Sequence, residues 1–194
     1  MKKYNEAKLE ESVIELLQKQ GYTYVKGEDL DRAPEEVLLK EDLRTYLSQR
    51  YADDRITTSE INSIIRKLDL LSSADLYDSN KTILKWISDG FIMKREDHTQ
   101  KDLYIQFIDY DKVENNDFKI VNQFEIIGTE KRIPDGIIFI NGLPLVVFEF
   151  KSAIRENATI HNAYEQLTER YRSCLLYTSP SPRDRTRSRM PSSA

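Results

Sequence analysis

The dipeptide Asn141-Gly142, set between the apolar runs 133–140 and 143–150, constrains this chain more than any other feature. Asn-Gly favours the left-handed backbone of a two-residue turn, so its flanking runs predict a β-hairpin. The second run is apolar on both faces, which predicts a central, buried strand. Three ionisable residues nevertheless stand at the open end of this hairpin: Asp135, Glu149 and Lys151. Charges in such surroundings cost several kcal/mol each unless they are paired or bound to metal. They need a reason to be there.

Parity decides what they can do. Glu149 and Lys151 are two residues apart and share a face, with Leu143, Leu145 and Val147 ahead of them on it. Strict two-residue pairing sets Ile140 against Leu143 and Asp135 against Phe148, so Asp135 would face away from Glu149. A slip of one residue, through a three-residue loop or a β-bulge, brings Asp135 onto the face of Glu149 and Lys151. Pro144, which has no N–H, suits irregular pairing at that point. With the slip, two carboxylates can hold Mg²⁺ through oxygen ligands, with a lysine beside the attacking water. That arrangement is the PD-(D/E)xK nuclease pattern. Without it, Glu149 and Lys151 form a buried ion pair, and Asp135 serves the turn beside Pro134 and Gly136.

The rest of the chain reads as mixed α/β. Residues 6–20 predict an amphipathic helix, with Leu9, Val13, Leu16 and Leu17 on one stripe, Ile14 at its flank and Gly21 as the stop. A short strand follows at 22–25. A mostly helical region spans about 35–89, where Thr57 and Glu60 form a capping-box pattern for a helix through Leu68. Another helix, near 80–89, ends at Gly90. Runs 91–94, 103–108 and 118–127 are rich in β-branched and aromatic residues and predict strands. A last helix is expected over 157–172.

Composition narrows the function. The chain has 194 residues, 39% hydrophobic and 32% charged, which is the balance of a chain that buries a core. No apolar run is long enough to span a bilayer and no signal core follows Met1, so no membrane is expected and the cytoplasm is the default setting. One cysteine, Cys174, and two histidines, His98 and His161, leave no ligand set for structural zinc. The net charge is −4, but residues 174–194 hold four arginines and one acid, so residues 1–173 carry −7. Such a body is a poor general phosphate coat, yet it suits clustered carboxylates. No phosphate loop for ATP occurs. Residues 174–194 lose all apolar periodicity and read as a disordered, non-native tail, similar to the translation of a sequencing-library adapter.

One resemblance is specific. Asn115-Asn-Asp-Phe-Lys-Ile-Val-Asn-Gln-Phe124, then Ile133-Pro-Asp-Gly-Ile-Ile-Phe-Ile-Asn-Gly-Leu-Pro-Leu-Val-Val-Phe-Glu-Phe-Lys-Ser152, resembles the amino-terminal nuclease domain of the type I restriction enzyme R subunit. Residues 6–22 and 163–172 resemble the same family, so the likeness covers most of residues 5–172. It implies a restriction-endonuclease-like fold: a mixed central sheet flanked by the first and last helices, with a helical insertion at about 34–90 in a domain of residues 1–173. It also implies a type I site-specific deoxyribonuclease that cuts double-stranded DNA after ATP-driven translocation by a motor outside this chain. Methylation and specificity subunits would be partners, Mg²⁺ the cofactor, and ATP a ligand of the full-length subunit only.

By the same resemblance Asp135 and Glu149 bind the metal and Lys151 assists the water. The superfamily adds an acid on the first helix, here Glu10 with Glu6 as the alternative, and Gln166 on the last helix. Gln166 and Tyr171 are separated by four residues where the superfamily has three, so Tyr171 falls off that face. Lys131 and Arg132 stand ready as phosphate contacts. Two rivals remain open: a stand-alone repair or resolvase-type nuclease of the same superfamily, and a non-catalytic DNA-binding or interaction module.

Overall fold

The computed structural model describes residues 6–71, 76–128, 131–150 and 160–165. It is mixed α/β. Helix α1 (Glu6–Lys19) leads to strand β1 (Thr23–Lys26), and α2 (Lys40–Arg50), α3 (Thr58–Asp69) and α4 (Leu76–Asp89) follow. Strands β2 (Phe91–Met93), β3 (Leu103–Ile105), β4 (Phe118–Asn122), β5 (Ile126–Ile127), β6 (Lys131–Arg132), β7 (Gly136–Ile140) and β8 (Leu143–Phe148) come next, then α5 (Ile160–Glu165). Among the described residues no helix is long and apolar enough to cross a membrane.

Local signals set the helix ends. Gly21, at φ +94°, closes α1: Tyr22 N–H reaches Leu17 O at 3.1 Å and Gly21 N–H reaches Gln18 O at 3.0 Å. This is the left-handed glycine cap that satisfies the last carbonyls of a helix. Thr57 and Glu60 form the expected capping box at α3, where each side chain accepts from the other's backbone N–H. Gly90, at φ +68°, ends α4. The side of α1 turned inward carries Glu10, Val13, Ile14 and Leu17, while Leu9 and Leu16 stay exposed. The inward stripe is thus rotated from the one expected.

The main sheet has the order β1-β4-β7-β8 among the described residues. Strand β1 runs parallel to β4, and β4, β7 and β8 form an antiparallel meander. The expected strand at 118–127 divides at Gln123, whose φ of +51° breaks the extended backbone. Its second part, β5, pairs instead with β6. Strand β8 was expected to be central, but it lies at the described edge, with Val146 exposed. Pro144 and an irregular pairing beside it are features that edge strands tolerate.

Two clusters make the core. One joins Leu39, Val121, Phe124, Ile126, Ile137 and Phe139 on one face of the main sheet. The other joins α2, α3 and the β2–β3 ribbon through Leu43, Leu47, Ile64, Leu68, Ile105 and Phe107. Leu143 of β8 belongs to this second cluster, so the helical segment and the sheet share packing. The buried Glu60–Arg95 ion pair, at 2.7 Å, ties α3 to the segment after β2. Burial alone would raise the Glu60 carboxyl, but donors from Thr57, Glu96 and Arg95 outweigh it and hold the group below its ordinary range.

Candidate active site

The β7–β8 hairpin is clamped at its tip. Asn141 and Gly142 adopt φ of +52° and +83°, the backbone that a two-residue hairpin turn requires. The Asn141 side chain is fully buried and donates to Phe107 O and to Asn116 Oδ1, each at 2.8 Å. Its own Oδ1 accepts from Asp117 N–H at 2.8 Å. Asn116 continues the network to Asp109, whose carboxylate pairs with Arg50. Burial pushes the Asp109 carboxyl up, but hydrogen bonds from Asn115 and Lys112 and the charge of Arg50 leave it below its usual range. On the other side of the turn, Leu39 N–H donates to Gly142 O at 3.0 Å.

From that fixed tip the pairing runs Ile140↔Leu143 and Phe139↔Pro144, then Ile138↔Val146, Ile137↔Val147 and Gly136↔Phe148. The register shifts between Ile138 and Phe139, and Leu145 is the extra residue. This bulge is the slip that the metal-site reading required. Continued by one step, the ladder sets Asp135 opposite Glu149, so both stem from the same side of the sheet. The bulge also corrects one expectation. Leu143 pairs with Ile140, three residues from Val147's partner Ile137, so Leu143 does not share the face of Val147 and Glu149.

Both acids are half-buried, and Pro134 before Asp135 is buried. Asp135 Oδ2 accepts the backbone N–H of Phe150 at 2.6 Å, which ties the start of β7 to the residue between Glu149 and Lys151. Lys151 and Gln166 lie outside the described residues. Among the described residues no group of three His, Cys, Asp or Glu side chains is arranged to hold a metal ion. Asp135 and Glu149 alone still fit Mg²⁺, which is commonly held by one or two carboxylates and keeps several waters.

Glu10 goes elsewhere. Its Oε1 accepts from Asn122 Nδ2 at 2.9 Å, and Asn122 Oδ1 in turn accepts from Tyr24 O–H at 3.1 Å. These residues, with Glu11, Ile14 and Glu15, line an open cleft of about 470 Å³ between α1 and the sheet. Asn122 pairs with Gly136, one residue on from Asp135, and strand alternation puts it on the opposite side of the sheet from Asp135. Glu6 opens α1. Lys131 forms an ion pair with Glu125 at 2.7 Å, so it is already engaged. Arg132 pairs across β5–β6 with Ile126.

Sequence reasoning missed Asn122, Tyr24 and the Asn116–Asp109–Arg50 network. The run Asn115-Asn116-Asp117 before β4 was the available signal, since consecutive amide and acid residues at a strand entry tend to bond the backbone.

The chain is similar to known proteins over most of its length. The family model described as type I restriction enzyme R protein N terminus matches residues 3–175. The endonuclease subunit of the type I restriction enzyme HindI of Haemophilus influenzae is 33% identical over 173 residues, covering 84% of this chain and 16% of that protein. A type I restriction endonuclease subunit of Staphylococcus saprophyticus is 31% identical over 172 residues, covering 87% and 16%. A putative one from Methanocaldococcus jannaschii is 25% identical over 169 residues, covering 80% and 16%. The chain thus spans about one-sixth of the length of these relatives.

Proposed function

The chain belongs to the family of type I restriction enzyme R protein N termini, and on that premise we propose that it is a Mg²⁺-dependent DNA endonuclease domain. The observation that supports this reading best is the Leu145 bulge, which turns Asp135 and Glu149 to the same side of the sheet. Asp135 and Glu149 would hold the cation. Mg²⁺ bound there would polarise a phosphodiester and lower the pKa of its bound water. Lys151 would orient that water and offset the charge developing on the phosphate. The Phe150 N–H bond on Oδ2 fixes the Asp135 carboxylate at the start of β7.

Within the longer subunit, cleavage of double-stranded DNA would follow ATP-driven translocation by a motor outside this chain. Methylation and specificity subunits would be its partners, and the cytoplasm its compartment. Glu10 is secondary in this reading, because it is engaged by Asn122 on the other side of the sheet, while Gln166 would keep the role that the resemblance gives it. The rival, non-catalytic reading also has an observation in its favour: Asp135 capping Phe150 N–H could serve the strand end alone.

The test is made in the intact restriction complex. Asp135→Ala and Glu149→Ala should abolish DNA cleavage and weaken Mg²⁺ binding, while ATP-driven translocation persists. Lys151→Ala should lose cleavage but keep much of the metal binding. A folded Asp135→Ala or Glu149→Ala variant that still cuts DNA would end the assignment.

A further inference from the structure

The β2–β3 ribbon has two faces of different character. Met93, Leu103 and Ile105 turn inward and are buried with α2 and α3 in the helical core cluster. Pairing sets Ile92 opposite Tyr104, so these two residues share the outward side. The water-facing side of an antiparallel pair is ordinarily polar. Here both outward side chains have large apolar bodies, and they are 68% and 51% exposed.

A third side chain joins them at the end of α4. The Tyr104 ring lies over Gly90, where an added methyl would come within 3.0 Å of Cζ and 3.1 Å of the hydroxyl. Tyr110, 55% exposed, donates its hydroxyl to Ile87 O at 3.1 Å, three residues before that glycine. Both rings are thus seated against the last turn of α4, and aromatic anchors already held in place lose little freedom on contact.

The size of the patch argues for one kind of occupant. Three such side chains offer roughly a few hundred Å², short of the ~800 Å² per partner of a stable complex between separate chains. So small a face suffices when its partner is tethered, because a linked element is present at about millimolar effective concentration. The relatives matched above have such a tethered partner available, since this chain spans 16% of their length. The patch also lies away from the acids. Leu143 packs in the cluster beneath the ribbon, whereas Phe148, at the acids' end of β8, is about 17 Å further along the strand.

We infer that the Ile92–Tyr104–Tyr110 face is the docking surface for a later domain of the same subunit, which meets it with an apolar element rimmed by hydrogen-bond donors for the tyrosine hydroxyls. Contacts between domains of one chain have this mixed, more polar character. Docking there would leave the open end of the β7–β8 hairpin clear. The inference does not depend on the nuclease reading of Asp135 and Glu149.

Hydroxyl-radical footprinting of the 194-residue chain and of the full-length subunit, each alone, reads the patch directly. Tyr104 should oxidise several-fold more slowly in the full-length subunit, and Ile92→Lys should restore there the rate seen in the shorter chain. In the shorter chain Ile92→Lys should leave the melting temperature unchanged. Equal Tyr104 rates in the two proteins overturn the inference, as does protection that survives Ile92→Lys. Protection that appears only when methylation and specificity subunits are added would assign the face to another chain and overturn it. So would a shorter chain that sediments as a dimer broken by Ile92→Lys, which would assign the face to a second copy. A fall of several degrees in the shorter chain would show Ile92 already packed within this domain, and that too overturns the inference.

Discussion

Gly142→Ala should be among the most destabilising single-methyl changes in this chain, and Gly21→Ala supplies its control. Both glycines have positive φ, +83° and +94°, so an alanine at either meets left-handed strain of about 1–2 kcal/mol. Part of that is offset, by about 0.4–1 kcal/mol, because alanine also restricts the unfolded chain. At Gly21 nothing else lies within 4 Å of the new methyl, so the net cost should be about 1 kcal/mol. At Gly142 the methyl would overlap the Leu39 carbonyl and lie 2.9 Å from Leu43 N, both backbone atoms of the α2 entry. Relief requires the hairpin tip to withdraw, which sacrifices the Leu39–Gly142 hydrogen bond, about 1 kcal/mol, and adds overpacking strain of about 1–3 kcal/mol. Gly142→Ala should therefore cost about 2–4 kcal/mol more than Gly21→Ala. Urea unfolding followed by circular dichroism measures both, with the midpoint falling by about 1–2 M more for Gly142→Ala at an unchanged slope. Equal midpoints for the two variants would refute the close approach of the tip to α2.

Two further outcomes follow from the buried acids and from the bulge. Glu60 and Asp109 are held below their ordinary range in the folded chain, so their contribution to stability is present above the unfolded carboxyl values. It is lost as pH falls through the folded values, and urea midpoints should drop steeply below about pH 4. A midpoint that stays flat there would contradict the burial of both pairs. Deleting Leu145 should keep Ile138 opposite Val146 and Asp135 opposite Glu149, and so preserve metal-dependent cleavage in the intact enzyme. Deleting Val147 should set Asp135 against Phe150 and abolish it; cross-strand nuclear Overhauser contacts report the register, and identical behaviour of the two deletions would refute the bulge as the phase-setting feature.

Much of this architecture was legible because the signals were local. Gly21, the Thr57–Glu60 capping box and Asn141-Gly142 each act through the backbone of a few neighbouring residues, and each holds its expected place. Partners distant in sequence were not legible. Arg95 sits in a polar stretch around the exposed His98 and reads as surface, yet it is buried against Glu60, 35 residues away. The break at Gln123 was hidden for a different reason. Run 118–127 is β-prone throughout, and only tertiary pairing of β5 with β6 reveals that the chain leaves the sheet there. Glu10 was legible as an inward-facing residue of α1, but its partner Asn122 lies 112 residues on and belongs to another face of the sheet.

The candidate site shows why an apolar pattern alone could not place its acids. Leu145, Val146, Val147 and Phe148 are apolar in succession, so a one-residue slip of β8 exchanges one hydrophobic side chain for another and costs little in burial. Hydrophobic alternation is therefore a weak guide to register in this strand. What remains is geometry. Asn141 is bonded to Phe107, Asn116 and Asp117, and Gly142 is seated on α2, so the turn cannot gain or lose a residue without breaking buried contacts. The odd residue must then be taken up within the strand, and Leu145 takes it, next to a proline on the described edge of the sheet. The same bulge that weakens the ladder there brings two carboxylates to one side of the sheet. A strand that relied on pattern alone would have no reason to prefer that arrangement. The clamped tip and the bulge together impose it, so the placement of Asp135 opposite Glu149 follows from the turn and not from the apolar pattern.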